Sequence, residues 1–562
     1  MFVLYYNRQS KDKYTIMKKF TLLFFIAAVY SCSVVYAQNL DKQFDALLQD
    51  NYTVGKPGVT ALVYKDGEIL YRKAFGMANL ELDVPMKPEN VFELGSITKQ
   101  FTSVSILMLM EQGKLSLDDE ITKYLPEYPT KGKKITIHNL LNHTSGIKSY
   151  TDLPNFRATA RTDKSPKEII DIFKDEPMDF DPGEKWYYNN SGYIVLGYII
   201  EKVSGKSYAD FISDNIFVPL KMNNSYYGSQ SNLIKKRASG YMPIEGGYKN
   251  ADYLSMTLPY AAGSLMSCVD DMLLWHKAVH NNTLISAESK AQAFTGGSLN
   301  NGKPTHYGYG WQVSEINGTE SIEHGGGIFG YVTQGVYVPS ENVYVILLTN
   351  TNGISPQDPA VKMAALAIGK PYATKDVSVS LSTEEMNKWV GNYEFDNEVL
   401  RTITLEDGQL YSQREGSDKL KIYADSATKF HFEGGLTTYE FTMESGKKVA
   451  NFAARIAKSK GVETTRKPAT EKEVVTIAAN TLNEYLGSYE LQPGFIIEVT
   501  TKEGKIFGQA TGQPEFEMFA EAEDTFFLKV VAAQLVFGRN DTGEVVNLTL
   551  NQGGQSLKGD KK

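Results

Sequence analysis

The chain reads as an α+β protein: an antiparallel sheet flanked by helices, followed by two small all-β, barrel-like domains. Three observations predict this. Hairpin patterns stand near both ends of residues 38–370, with apolar helical runs between them. After about residue 375 the segments become short and alternating, with Asp-Gly and Ser-Gly turns. That second part also repeats itself at a spacing of 96 residues, which marks two copies of one unit.

The first hairpin runs from Val59 to Ala74, turning at Asp66-Gly67. The second runs from Gly330 to Thr349, turning at Pro339-Ser-Glu-Asn342. Strands at both termini with helices between suggest one sheet closed by its two ends. The run 96–112 reads as a buried helix ended by Gly113, and Gly192 to Val203 as a second, ended by Ser204-Gly205. In the repeat, Trp389-Val-Gly391-Asn-Tyr393 matches Tyr485-Leu-Gly487-Ser-Tyr489, and Asp407-Gly408 matches Glu503-Gly504. Two all-β units over 380–470 and 475–562 are the simplest account.

At 562 residues the chain exceeds one hydrophobic core. Lys18-Lys19, the apolar stretch Phe20–Val29 and Ala37 read as a secretory signal peptide over 1–37, with Met17 an alternative start after residues 1–16. Its removal takes away five basic groups and one acidic group, moving the net charge from -8 to -12. That balance argues against nucleic-acid partners. Cys32 and Cys268 are the only cysteines, and Cys32 lies within the leader, so the mature chain cannot form an internal disulfide. Export without disulfides suggests the periplasm or cell envelope of a bacterium. A rival reading makes Cys32 a lipidated N-terminus, the one route seen to membrane anchoring.

Ser96-Ile97-Thr98-Lys99 opens the first helical run. A Ser and a Lys three apart on a helix share one face, and a neutral amine there can take the hydroxyl's proton and leave a nucleophile. The helix N-terminus adds partial positive charge where a reacting carbonyl becomes anionic. The pattern alone is weak, because S-x-x-K also occurs at Ser10, Ser145 and Ser445. Tyr188-Asn189-Asn190 stands on a loop before the second helix, where a hydroxyl can relay a proton and an amide can bridge a lysine and a substrate. On this segment alone, ordinary turn chemistry is the simpler account. His324-Gly325-Gly326-Gly327 lets another backbone or a ligand approach closely, or is simply a glycine-rich strand entry. G-x-S-x-G, H-E-x-x-H and C-x-x-C are absent. His276 and His280 lack a nearby third ligand and make a poor zinc site. No cofactor or metal is expected.

Together these segments resemble the serine β-lactamase and penicillin-binding superfamily, in its branch of class C β-lactamases, D-aminopeptidases, DD-carboxypeptidases and related esterases (peptidase family S12). The carriers are Ser96…Lys99, Tyr188…Asn190 and His324…Gly326 in chain order, with Leu140-Leu-Asn-His-Thr-Ser-Gly146 and Tyr307-Gly-Tyr-Gly-Trp311 in support. The resemblance implies a β-lactamase/transpeptidase-like antiparallel sheet with an all-α subdomain, and lipocalin-like C-terminal repeats.

It also implies an exported serine hydrolase working through an acyl-enzyme. Ser96 would attack, Lys99 or Tyr188 would move protons, and Asn190 would orient Lys99 or the substrate. His324 joins the catalytic set, Gly325 and Gly326 would bind substrate, and the backbone N–H groups of Ser96 and Gly327 would hold the oxyanion. Which of Lys99 and Tyr188 is the base stays open. Penicillin-recognising members carry Lys-Thr/Ser-Gly where this chain has His324-Gly325-Gly326. A mostly neutral His holds a carboxylate less well, so weak or no β-lactamase activity is expected. Substrates are then small esters, or amides and peptides with D-residues, including peptidoglycan-derived ones. The rival class is a catalytically silent penicillin-binding-like or regulatory envelope protein. Oligomeric state is not legible.

Overall fold

The computed structural model describes residues 40–153, 156–373, 378–396, 399–468, 474–492, 495–502, 504–511, 515–529, 533–552 and 555–562. Residues 1–37, the expected signal peptide, with Cys32 among them, lie outside the described residues. Two compact units divide after Pro371.

The first unit is built on a six-stranded antiparallel sheet. Its strands are β1 (Val59–Lys65), β2 (Glu68–Phe75), β3 (Gln312–Ile316), β4 (Thr319–Ile328), β5 (Tyr331–Val338) and β6 (Val343–Thr349), in the order β3-β4-β5-β6-β1-β2. The two ends of the unit meet where β1 pairs with β6, Val59 opposite Thr349 and Lys65 opposite Val343. This is the sheet closed by its termini that the two hairpins predict. In β1 and β6 nearly every residue is buried, because both faces are covered. That explains why they read as unbroken apolar runs rather than as alternation.

Helix α1 (Thr98–Glu111) is buried almost all round, as its lack of a polar face requires. A 3₁₀ turn, Gly95–Ile97, precedes it and carries Ser96, so the serine sits on the entry turn rather than in the α-helix proper. Gly113 ends it in the left-handed region (φ +67°), with Lys114 N–H bonding Leu109 O and Gly113 N–H bonding Met110 O. This is the Schellman arrangement expected of a glycine there. Helix α2 (Asn190–Ser204) packs against α1, is capped by Asn189 Oδ1 on Gly192 N–H (2.9 Å), and stops at Gly205. Helices α3 (Val269–His280) and α4 (Gln357–Ala367) pack on the sheet. His276 of α3 stacks on Tyr344 (centroids 4.1 Å), a packing role for one of the two histidines.

The second unit contains two closed barrels of eight strands each, from Gly391–Phe395 to Ala457–Thr464 and from Gly487–Gln492 to Gln555–Lys561. The repeat seen in sequence is reproduced atom by atom. Tyr393 OH donates to Trp389 O (2.8 Å), and Tyr489 OH to Tyr485 O (2.7 Å). Trp389 stacks on Phe441, and Tyr485 on Phe537. All three pairs of equivalent aromatic positions keep the 96-residue spacing. Each barrel is therefore plugged by the same aromatic cluster, the source of its core.

The sheet meets α1 through backbone contact. A Cβ at Gly326 would lie 2.0 Å from Leu94 O, and one at Gly95 would lie 3.0 Å from Gly327 N. Thr333 Oγ1 on β5 donates to the same Leu94 carbonyl (2.8 Å). Strand β4 is thus pressed against the chain just ahead of Ser96. We expect Gly326→Ala to cost about 2–3 kcal/mol in chemical denaturation, an overpacking penalty against rigid backbone; a loss below about 0.5 kcal/mol would contradict the close contact.

Candidate active site

Ser96 and Lys99 face each other because the entry turn and the first turn of α1 place i and i+3 on one side. Lys99 is fully buried, with Nζ 3.1 Å from Ser96 Oγ, 2.8 Å from Asn190 Oδ1 and 3.0 Å from Ala262 O. Burial drives its pKa well below the usual lysine value. The contacts fit the neutral amine: two N–H bonds go to the two carbonyl oxygens, and the lone pair is left for the Ser96 hydroxyl proton. Asn190 is held in the required orientation because its Nδ2 donates to Thr151 Oγ1 (3.0 Å). Ala262 belongs to the short helix Tyr260–Gly263, which also accepts at Ala261 O from Thr102 of α1 (2.7 Å).

Tyr188 lies across Lys99, its ring centroid 4.8 Å from Nζ. Burial raises the pKa of its hydroxyl, and the neighbouring Ser96 side chain opposes that in part. The hydroxyl is shielded from solvent and makes no hydrogen bond of good geometry. Ser96, Lys99, Tyr188 and Asn190, distant in sequence, are brought to one point.

His324 is placed differently from the expectation of a substrate-facing group. It is 4% exposed, its Nδ1–H donates to Gly325 O (2.6 Å), and its Nε2 accepts from Tyr307 OH (2.9 Å). Burial pulls its pKa down to about 4, so the ring is neutral at pH 7. Its centroid stands 6.2 Å from that of Tyr188. His324 backs the tyrosine and does not line the cleft. Gly325 and Gly326, expected to bind substrate, do not line it either: Gly326 abuts Leu94 O, and a Cβ at Gly325 would meet the Gln334 side chain. Only Gly327 of the three reaches the cleft, and space beside it is open.

That cleft has a volume of about 350 Å³. Ser96, Asn190, Thr151 and Gly327 line it, together with apolar side chains such as Tyr150, Leu254 and Phe329. Arg157, with its guanidinium 5.9 Å from the Phe329 centroid, is the one charged side chain lining it among the described residues. Such a hollow suits a small acyl group with few polar anchors.

A serine hydroxyl next to a buried lysine amine whose pKa is driven down by burial, at the head of a helix packed on an antiparallel sheet, defines a hydrolase that works through an acyl-enzyme. The comparisons agree. The family model described as Beta-lactamase matches residues 40–370, and a domain of unknown function, DUF3471, matches 471–561. Penicillin-binding protein 4* of Bacillus subtilis (strain 168) is 31% identical over 408 residues, covering 68% of this chain and 90% of that protein. D-aminopeptidase of Gluconobacter oxydans (strain 621H) is 26% identical, covering 60% of this chain and 63% of its own length, under two thirds. The structure of an octameric penicillin-binding protein homologue from Pyrococcus abyssi superposes with a TM-score of 0.51 at 26% identity, covering 72% of this chain and 96% of that one. The chain belongs to the β-lactamase family.

Sequence reasoning missed Thr151, the Ala262 carbonyl and the partners of His324. Tyr307 stood in a noted stretch but with no role attached. Thr151 and Ala262 lie in segments with no motif of their own, and only the fold brings Thr151 to Asn190 and Ala262 to Lys99.

The lysine makes a stability prediction. Its folded pKa lies below the unfolded value near 10.5. Between the two, the unfolded chain binds a proton that the folded chain does not, so stability rises with pH, by up to about 1.4 kcal/mol per pH unit. Lys99→Met removes that contribution. Thermal melts from pH 7 to 9 should show a weaker upward trend in Lys99→Met than in the parent; identical trends would mean that Lys99 is charged in the fold.

Proposed function

We propose that this protein is an exported serine acyl hydrolase that cleaves small esters, or amides and peptides containing D-residues. The observation that carries the reading is the Lys99 amine, buried and within hydrogen-bond reach of Ser96 Oγ. Ser96 Oγ attacks the acyl carbonyl while its proton passes to Lys99 Nζ. The new C–O bond leaves a tetrahedral oxyanion, which in this reading the N–H groups of Ser96 and Gly327 hold. Collapse breaks the bond to the leaving oxygen or nitrogen, which takes a proton from the Lys99–Tyr188 pair. Water then attacks the acyl-enzyme and gives a proton to the same pair; the second tetrahedral intermediate breaks its bond to Ser96 Oγ, which takes that proton back as the acid leaves.

Lys99 is the better general base of the two, because burial pushes its pKa toward neutrality and that of Tyr188 away from it. Tyr188 then serves as relay. The buried, neutral His324 offers no cation to a substrate carboxylate, which supports weak or no turnover of β-lactams. The relatives named for D-aminopeptidase and penicillin-binding activity support D-residue substrates, including peptidoglycan fragments. The basic and apolar stretch over 18–37 supports action in the cell envelope.

A fluorophosphonate probe should label the protein, and Ser96→Ala should abolish labelling and lower kcat on p-nitrophenyl esters and D-amino-acid amides about a thousandfold or more. Turnover should persist at pH 7 and kcat/KM should fall on the acid side, as Lys99 gains a proton. An unlabelled protein inert to the whole panel would overturn the reading, and nitrocefin turnover matching the best ester would overturn its substrate class.

A further inference from the structure

The stretch Leu140–Gly146 has no part in the chemistry above, yet it holds a histidine in an unusual state. His143 lies just beyond the helix Ile137–Leu141 with φ +63°, a left-handed conformation that His, like Asn and Asp, adopts more readily than most side chains. It is 1% exposed.

The surroundings are the loop that carries Tyr188. The backbone carbonyl of His143 accepts from Tyr187 N–H (3.1 Å), and its ring Nδ1 accepts from Asn189 N–H (3.1 Å). One residue thus grips the amide on each side of Tyr188. The two rings are also in contact, with centroids 4.4 Å apart. Thr144 O accepts from Gly183 N–H (2.8 Å), which fixes the start of the same loop. Since Nδ1 accepts, the proton of the neutral ring is on Nε2, and Nε2 has no hydrogen-bond partner among the described residues. It is surrounded by the rings of Tyr307, Tyr193 and Trp186. A histidine with one nitrogen unpartnered is there for the other one.

We infer that His143 is a positioning residue, whose neutral Nδ1 and carbonyl together fix where the Tyr188 hydroxyl stands relative to Ser96 and Lys99. The inference rests on the role given to Tyr188 in the proposed function. It requires an acceptor at the Nδ1 position, not an imidazole as such. Asn supplies one: its Oδ1 reaches about as far, and Asn tolerates the left-handed backbone. Leu fills the space without an acceptor and leaves the Asn189 N–H unpaired.

The test is a double-mutant cycle on the full chain with a p-nitrophenyl ester, joining His143→Leu with Tyr188→Phe, and His143→Asn as the rescue. His143→Leu should lower kcat about as much as Tyr188→Phe, with KM within about threefold of the parent. In the Tyr188→Phe background it should cost less than about threefold more. His143→Asn should recover kcat to within about tenfold of the parent. Full additivity, or a folded His143→Asn as impaired as Tyr188→Phe, would overturn the inference and leave the proposed function intact. Full activity in Tyr188→Phe would overturn the relay itself, and the inference with it. If His143→Leu fails to fold, the His143→Asn result decides alone.

Discussion

The site depends on one amine kept out of water. Lys99 has two carbonyl acceptors, two tyrosine rings over it and, among the described residues, no carboxylate beside it. Had an Asp or Glu stood in place of Asn190, the amine would be an ammonium and could not accept the serine proton. The neutral partners are therefore as much a requirement as the lysine itself. Burying an amine without a counter-charge is costly, and the large core around α1 offsets that cost.

The second constraint is geometric. The proposed oxyanion site, made of backbone N–H groups, requires two chain segments within a few ångströms of each other. The glycines at 95 and 326 permit this by removing the Cβ atoms that would hold Leu94 and β4 apart. Gly327 then emerges on the open side, at the wall of the cleft. The run of three glycines is divided between packing and access, and the histidine ahead of it is drawn inward to Tyr307.

Much of this is legible in the sequence where the signal is local. Both hairpins, both central helices with their glycine stops, and the 96-residue repeat follow from periodicity and turn chemistry. The Ser96–Lys99 pair follows from helical spacing, and Tyr188 and Asn190 from motif order. What the sequence hides is long-range. The carbonyl of Ala262 carries no residue-type signal, and Thr151 becomes meaningful only when Asn190 stands beside it. His324 reads as one of the catalytic set from motif order, and nothing beside it in the sequence shows that its ring turns inward. Its burial depends on Tyr307, 17 residues earlier in the chain, reaching its Nε2.

The central claim is the charge state of Lys99 in the folded protein. Direct titration of its Cε and Nζ by NMR, with lysine labelled in 13C and 15N and Lys99→Met for assignment, reads that state without any substrate. The account predicts a neutral amine at pH 8 with a midpoint well below 10.5. A Lys99 resonance that stays ammonium-like to pH 10 would contradict it.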